Sequence, residues 1–237
     1  MSIVPGAVNF RDVGGLPAGA GVTRSGVLYR SGSLAGIEST GAEAFRALGV
    51  RRVVDLRSDD EVSRAPSGVE GVETLHVPLF LGSLASFFLE DLSLAQLYAA
   101  LLERSGDRIV TAVRGILGAQ PVVVHCTVGK DRTGMTVALA LAAAGVEEDA
   151  VVDDYARTES LLPAWRNEST LARIRSAYPG ARHLEELATR SPAPVMREVL
   201  TLVRDEHGSA AGYLRSHGLG EDELALLRRN LVVEAAG

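Results

Sequence analysis

The chain has 237 residues, of which 46% are hydrophobic and 23% charged, with a formal net charge of −6. That size and balance fit a folded globular chain with enough apolar mass for a sizeable core. An acidic chain without a clustered basic face argues against a nucleic-acid partner.

The opening Met1-Ser2-Ile3-Val4-Pro5-Gly6 lacks the basic start and long apolar core of a secretory signal. A cytoplasmic protein is expected, with leaderless secretion open. The glycine-rich stretch from Gly14-Gly15 to Gly26 reads as turns around short extended pieces. Val27-Leu28-Tyr29-Arg30 is a candidate strand, and Thr40 is placed to cap a short helix over residues 42–48. Arg51-Arg52-Val53-Val54-Asp55-Leu56-Arg57 has a β-branched centre and reads as a buried strand. Thr74-Leu75-His76-Val77-Pro78 is another, ended by proline. The apolar run 79–89, with Phe80, Phe87 and Phe88, reads either as packed core or as a lid or pocket wall.

Ser93 begins a helical pattern with Leu94, Leu97, Tyr98, Leu101 and Leu102 on one face. Asp107 begins a second, with Ile109, Val110, Val113, Ile116 and Leu117. Pro121-Val122-Val123-Val124-His125 is the clearest strand, and residues 132–144 favour a buried helix closed by Gly145. Beyond Glu147 the chain reads as helical almost to its end, interrupted by Pro163, Pro179-Gly180, Pro192 and Pro194. Early alternation of strands and helices, followed by helices alone, predicts an α/β layer structure. It would be a single domain over residues 1–237, with a mostly parallel sheet of about four or five strands flanked by helices. Its C-terminal part is expected to be helix-rich. The longest apolar stretches, 77–89 and 135–146, are shorter than the roughly 20 residues that cross a bilayer, so no integral membrane span is expected.

Cys126 is the only cysteine, which rules out an intramolecular disulfide framework. Of 24 basic residues only Lys130 is lysine, and it stands four positions from that cysteine. A coding bias toward arginine explains the imbalance but not the coincidence. Both lie in His125-Cys126-Thr127-Val128-Gly129-Lys130-Asp131-Arg132-Thr133-Gly134, between a strand and a helix. Such a loop turns backbone N–H groups toward one point, and the helix N-terminus adds positive potential there. This is a cradle for a phosphate dianion, formed by Thr127, Val128, Gly129, Lys130, Asp131 and Arg132. Its field favours a thiolate at Cys126. The planar fork of Arg132 can grip two phosphate oxygens. The chemistry so implied is attack by Cys126 on phosphorus, protonation of the departing oxygen, and hydrolysis of the phosphocysteine. Thr133 could donate its hydroxyl to the sulfur and help it leave. No cofactor and no metal are called for.

The motif resembles the signature of the protein tyrosine phosphatase superfamily, and more narrowly that of the atypical bacterial tyrosine/lipid phosphatases. Asn9-Phe10-Arg11-Asp12-Val13-Gly14-Gly15, Tyr29-Arg30-Ser31, Val54-Asp55-Leu56-Arg57-Ser58 and Asp154-Tyr155 also fit that family, in order. The resemblance implies a three-layer phosphatase fold. It also implies activity on phosphotyrosine, phosphoserine/threonine and phosphoinositides, so the expected partners are a phosphorylated protein or a phosphoinositide. Lys130 would add charge for a second phosphate on an inositol ring. Relatives carry an acidic residue shortly after the proline-ended strand; here Val77-Pro78-Leu79-Phe80-Leu81-Gly82-Ser83 has none. The general acid is then Asp131, or Glu90 or Asp91 brought in by a folded-over segment. Asp131 could also serve simply as a first-turn residue facing the helix dipole.

His125 is read as an orienter of the loop. Arg11 and Asp12 are read as braces of the active-site loops through buried ion pairs. Asp55 and Arg57 are read in the same way, with Arg57 also a candidate for the ligand crevice at the strand ends. Three other functions stay open. One is a dedicated phosphoinositide or inositol-phosphate phosphatase. The others are a pseudophosphatase that binds phosphate without turnover and a rhodanese-like sulfurtransferase.

Overall fold

Val122, Val123 and Val124 form a strand with no polar face, so apolar layers must cover it on both sides. The computed structural model describes residues 2–79 and 89–234 and shows that arrangement. The strands of the main sheet are β1 (Arg11–Asp12), β4 (Leu28–Ser31), β5 (Arg52–Asp55), β6 (Glu73–His76) and β7 (Val122–His125). Their spatial order is β1-β4-β7-β5-β6, with β7 at the centre. Only β1 runs antiparallel to its neighbour; the other pairings are parallel. The expected mostly parallel sheet of about four or five strands is therefore present, with five.

Side chains alternate between two cores, as the period of a strand demands. Leu28, Val54, Val122 and Val124 face one layer, and Tyr29, Val53 and Val123 face the other. The first layer holds α3 (Leu94–Gly118), α4 (Asp131–Ala143), α5 (Glu148–Leu161), α8 (Ala193–His207), α9 (Ala210–Ser216) and α10 (Glu221–Leu231). The second holds α1 (Ser39–Ala47), anchored by Phe45, with Val4, Phe10 and Leu34. The remaining helices are α2 (Asp59–Arg64), α6 (Ala164–Ala177) and α7 (Leu184–Thr189). No helix among the described residues is long and apolar enough to cross a membrane.

Three details depart from the sequence reading. Thr40 does not cap α1; the helix starts at Ser39, with Glu38 before it and no side-chain cap. The two helices expected from Ser93 and Asp107 are one 25-residue helix, α3, capped by a reciprocal Ser93–Gln96 box. Gly106 in its middle is a close-approach point. A Cβ there would lie 2.0 Å from the His217 ring, which packs on the helix from α9's end. A strand, β8 (Val232–Glu234), follows the last helix and pairs with β3 (Gly21–Thr23); β3 in turn pairs with β2 (Pro17–Ala18) in a second, antiparallel sheet. The apolar run's residues 80–88 lie outside the described residues; Leu79 is buried and Leu89 exposed.

The Gly106 contact can be tested by a double-mutant cycle. Gly106→Ala should destabilise by about 1–3 kcal/mol through overpacking. Adding His217→Ala should recover part of that loss in urea unfolding, and strictly additive losses would overturn the contact.

Candidate active site

The parallel register brings Ser31, His125 and Asp55 level with one another. Each chain leaves its strand there, at the carboxyl edge where open α/β sheets bind ligands. Cys126 is the first residue beyond the central strand and is only 2% exposed. The loop from it to α4 runs against the backbone of Ser31 and Gly32. Gly129, at φ +74°, has no room for a side chain: a Cβ would sit 2.6 Å from the Gly32 nitrogen and the Ser31 carbonyl.

The loop's carbonyls are tied outward. Thr127 O accepts from the Ser33 N–H at 3.0 Å. Asn9 Nδ2 donates to Gly129 O at 3.1 Å and to Val128 O at 3.5 Å, and Arg30 Nη2 donates to Gly129 O at 3.0 Å. A peptide whose carbonyl points out presents its N–H inward. Gly129 N–H accordingly donates to Cys126 Sγ, at 3.2 Å.

Arg30 and Arg11 share the buried carboxylate of Asp154, at 2.5 and 2.8 Å. Arg11 also donates to Asp154 O, Thr158 Oγ1 and Asn9 Oδ1. Burial and the charge of Arg30 push Arg11 down to about 10, against the pull of Asp154. Burial alone would raise the Asp154 pKa, but the two guanidiniums hold it below the ordinary value. Two cations and one anion leave a net positive charge behind the phosphate cradle. Asp12 takes no part; its carboxylate accepts from the Gly14 and Gly26 N–H groups and shapes the glycine-rich turns.

Asp55 and Arg57 form a second brace. Arg57 Nε and Nη2 bind the Asp55 carboxylate, and Nη1 donates to Ala65 O at 2.6 Å. Arg57 is fully buried on these partners and is not presented to the ligand crevice. Asp55 also lies 3.4 Å from His125 Nε2. Burial would raise the Asp55 pKa, but His125 and Arg57 together hold it well below the carboxylate range. His125 Nδ1 faces Cys126 O at 3.3 Å, so its contact is with the loop backbone.

Arg132 is held by a residue the sequence reading missed. Its Nη1 and Nη2 donate to Glu61 at 2.6 and 2.8 Å, and Thr127 Oγ1 donates to the same carboxylate. Glu61 in turn closes a capping box with Ser58 at the start of α2. Burial works to raise the Glu61 pKa, but Arg132, Thr127 and the Ser58 N–H bring it down to about 2. Nη1 of Arg132 also reaches Leu56 O at 3.4 Å. Of five guanidinium protons, these contacts use three; Nε–H and one on Nη2 remain for a ligand. The spacing Ser58-x-x-Glu61 just after β5 was the available sequence signal.

Asp131, at the first position of α4, accepts from Tyr98 Oη at 2.8 Å and lies 2.7 Å from Lys130 Nζ. Both contacts fall on Oδ1. Tyr98 shares a 2.8 Å hydrogen bond with Tyr155. Lys130 is only 1% exposed, with its ammonium 2.7 Å from the Asp131 carboxylate. Thr133 Oγ1 points to Ser31 O at 3.5 Å rather than to the sulfur. Of the other acid candidates, Glu90 is exposed, and Asp91 is held by Arg182 Nε at 2.6 Å, which lowers its pKa and favours its ionised form. No group of His, Cys, Asp and Glu side chains among the described residues is placed to hold a metal ion.

The three-charge brace predicts a stability effect. Asp154→Asn leaves two buried cations facing one another and should cost about 3–5 kcal/mol, read as a fall in the denaturant midpoint. A loss below about 1 kcal/mol would show that the cluster does not carry the loop.

A family model described as the tyrosine phosphatase family matches residues 3–233. The triple specificity protein phosphatase PtpB of Mycobacterium tuberculosis is 30% identical over 95% of this chain and 96% of its own length. A tyrosine-protein phosphatase of Nostoc commune is 29% identical over 85% of this chain and 73% of its own. Among solved structures, the core catalytic domain of the PP-IP phosphatase SIW14 from S. cerevisiae covers 79% of this chain and 85% of its own, with 16% identity and a TM-score of 0.39. With a family match across nearly the whole chain and a full-length relative at 30% identity, the chain belongs to the tyrosine phosphatase family and is a phosphatase.

Proposed function

We propose that this phosphatase is a cysteine-dependent phosphomonoesterase that forms a phosphocysteine, with phosphotyrosine proteins as its principal substrates. Phosphoserine/threonine proteins and phosphoinositides are further substrates, and the whole chain serves as one phosphatase domain. The observation that carries the reading is the Gly129 N–H directed at Cys126 Sγ, in a loop whose Thr127, Val128 and Gly129 carbonyls are bound by other donors. The triple specificity named for PtpB supports the breadth of substrates.

In the first step the Cys126 thiolate forms an S–P bond while the P–O bond to the leaving group breaks. Loop N–H groups and the two spare Arg132 protons stabilise charge on the transferring phosphoryl. Asp131 gives the departing oxygen a proton. Tyr98 and Lys130 hold its Oδ1, which leaves Oδ2 for the leaving group. In the second step water attacks phosphorus, Asp131 takes up its proton, the S–P bond breaks and inorganic phosphate leaves.

Phosphate release from phosphotyrosine peptide, phosphoserine peptide and phosphoinositides should fall about 10³-fold or more in Cys126→Ser. Activity that survives this change would sink the mechanism. Asp131→Asn should slow an alkyl phosphate by about 10²-fold or more, while p-nitrophenyl phosphate, with its good leaving group, changes by less than about tenfold. Equal losses on both would remove Asp131 from the acid role.

Glu61 is a positioning residue that acts through Arg132. Glu61→Gln removes the counter-charge and should lower kcat/KM by about 10- to 100-fold. The pH dependence of stability supplies a separate readout. Because the Glu61 pKa is depressed in the fold, its contribution is present above the ordinary value of 4.5 and is lost as pH falls toward about 2. Acid unfolding across that window should be shallower in Glu61→Gln. An unchanged rate and acid limb would refute the role.

A further inference from the structure

Tyr155 is fully buried and has no place in the mechanism above. It stands on α5 next to Asp154, the carboxylate that holds Arg11 and Arg30 behind the loop. Its ring meets the Tyr98 ring edge-on, with centroids 6.1 Å apart, and the two hydroxyl oxygens lie 2.8 Å from one another. Room for the ring comes from Gly134, the last residue of the loop motif. A Cβ at Gly134 would lie 3.0 Å from Tyr155 Cδ2 and 3.2 Å from Arg30 Nη2. Tyr98 is just as deeply buried, near the start of α3, and its Oη donates to Asp131 Oδ1 at 2.8 Å.

The direction of this chain follows from counting protons, since a phenol has one to give. Tyr98 gives its own to Asp131, so the hydrogen in the Tyr98–Tyr155 bond belongs to Tyr155. Burial and the negative charge of Asp131 raise the pKa of both phenols, so each stays a donor across the neutral range. A hydroxyl that accepts a hydrogen bond donates more strongly in turn. We infer that Tyr155 is a remote positioning residue, which acts through Tyr98 to hold Asp131 Oδ1 and so keeps the acidic proton on Oδ2. The inference rests on the acid role proposed for Asp131. It also ties that role to the phosphate cradle, because two consecutive residues of α5 brace them: Asp154 the loop and Tyr155 the acid.

Phenylalanine at either position keeps the ring and removes only the hydroxyl. The readout is the ratio of kcat for an alkyl phosphate to kcat for p-nitrophenyl phosphate, measured in one preparation. A loss of folded protein lowers both rates alike and leaves this ratio unmoved. Tyr155→Phe should lower the ratio by about 3- to 10-fold, the effect of one hydrogen bond. Tyr98→Phe should lower it by about 10-fold or more, since its bond is made to the acid itself. The double variant should match Tyr98→Phe alone, because Tyr155 acts only through Tyr98. In an Asp131→Asn background neither change should lower the ratio further. An unmoved ratio in Tyr155→Phe, or additive losses in the double variant, overturns the inference while Asp131→Asn still shows its own selective loss. An unmoved ratio in Asp131→Asn would instead remove the acid assignment, and the relay with it.

Discussion

The site depends on where three peptide carbonyls point. A loop between a strand and a helix can turn its peptides either way, and only one choice makes an anion cradle. Here Thr127, Val128 and Gly129 have their oxygens bound by Ser33 N–H, Asn9 and Arg30, donors that come from the N-terminal part of the chain. That anchoring needs the loop and the Ser31-Gly32 backbone to touch, and glycine stands on both sides of the contact. A Cβ at Gly32 would lie 2.7 Å from Val128 O. It also needs β4 beside β7, which the parallel register supplies. Sheet order, glycine placement and the buried arginines thus serve one requirement, a preorganised ring of N–H donors.

Charge is arranged around this ring in two shells of opposite balance. Behind the loop, Arg11 and Arg30 outnumber Asp154, and the excess positive charge lies under the cradle. In front, Arg132 is neutralised by Glu61 until a ligand arrives. A bidentate partner fixes the guanidinium plane, so the entropy of ordering a long side chain is met during folding rather than on binding. Thr127, by donating to the same carboxylate, ties the start of the loop to the residue that orients its end.

The parts legible in the sequence are those whose signal is local. Cys126, Gly129 and Arg132 occupy one short loop, and the valines before it announce a strand buried on both faces. Asn9, Arg30 and Asp154 were visible only as members of matched motifs. Their joint role depends on which strands neighbour each other, since Arg11 and Asp154 are 143 positions apart. Glu61 was missed for a related reason: its capping box is local, but its partner lies 71 positions onward. The single helix α3 carries Gly106 at its middle because the His217 ring occupies the space a side chain would need. β8 could not be read because a three-residue strand has little pattern without β3 beside it.

The distribution of arginine and lysine follows the same geometry. Arg11, Arg30 and Arg57 each bind a carboxylate with one nitrogen or edge and a backbone carbonyl with another. Only a planar fork with several fixed donors can do this. An ammonium in those places would satisfy one partner and orphan the other. Position 130 poses the opposite problem. It opens α4 at a backbone turn, is almost wholly buried, and offers one nearby acceptor, Asp131 Oδ1, which Tyr98 already shares. A guanidinium there would carry five N–H groups into a buried space, where an ammonium carries three. A compact ammonium on a flexible stem is the cation that fits. The Asp131 contact, in a space with almost no exposure, sets this one position apart from the arginines.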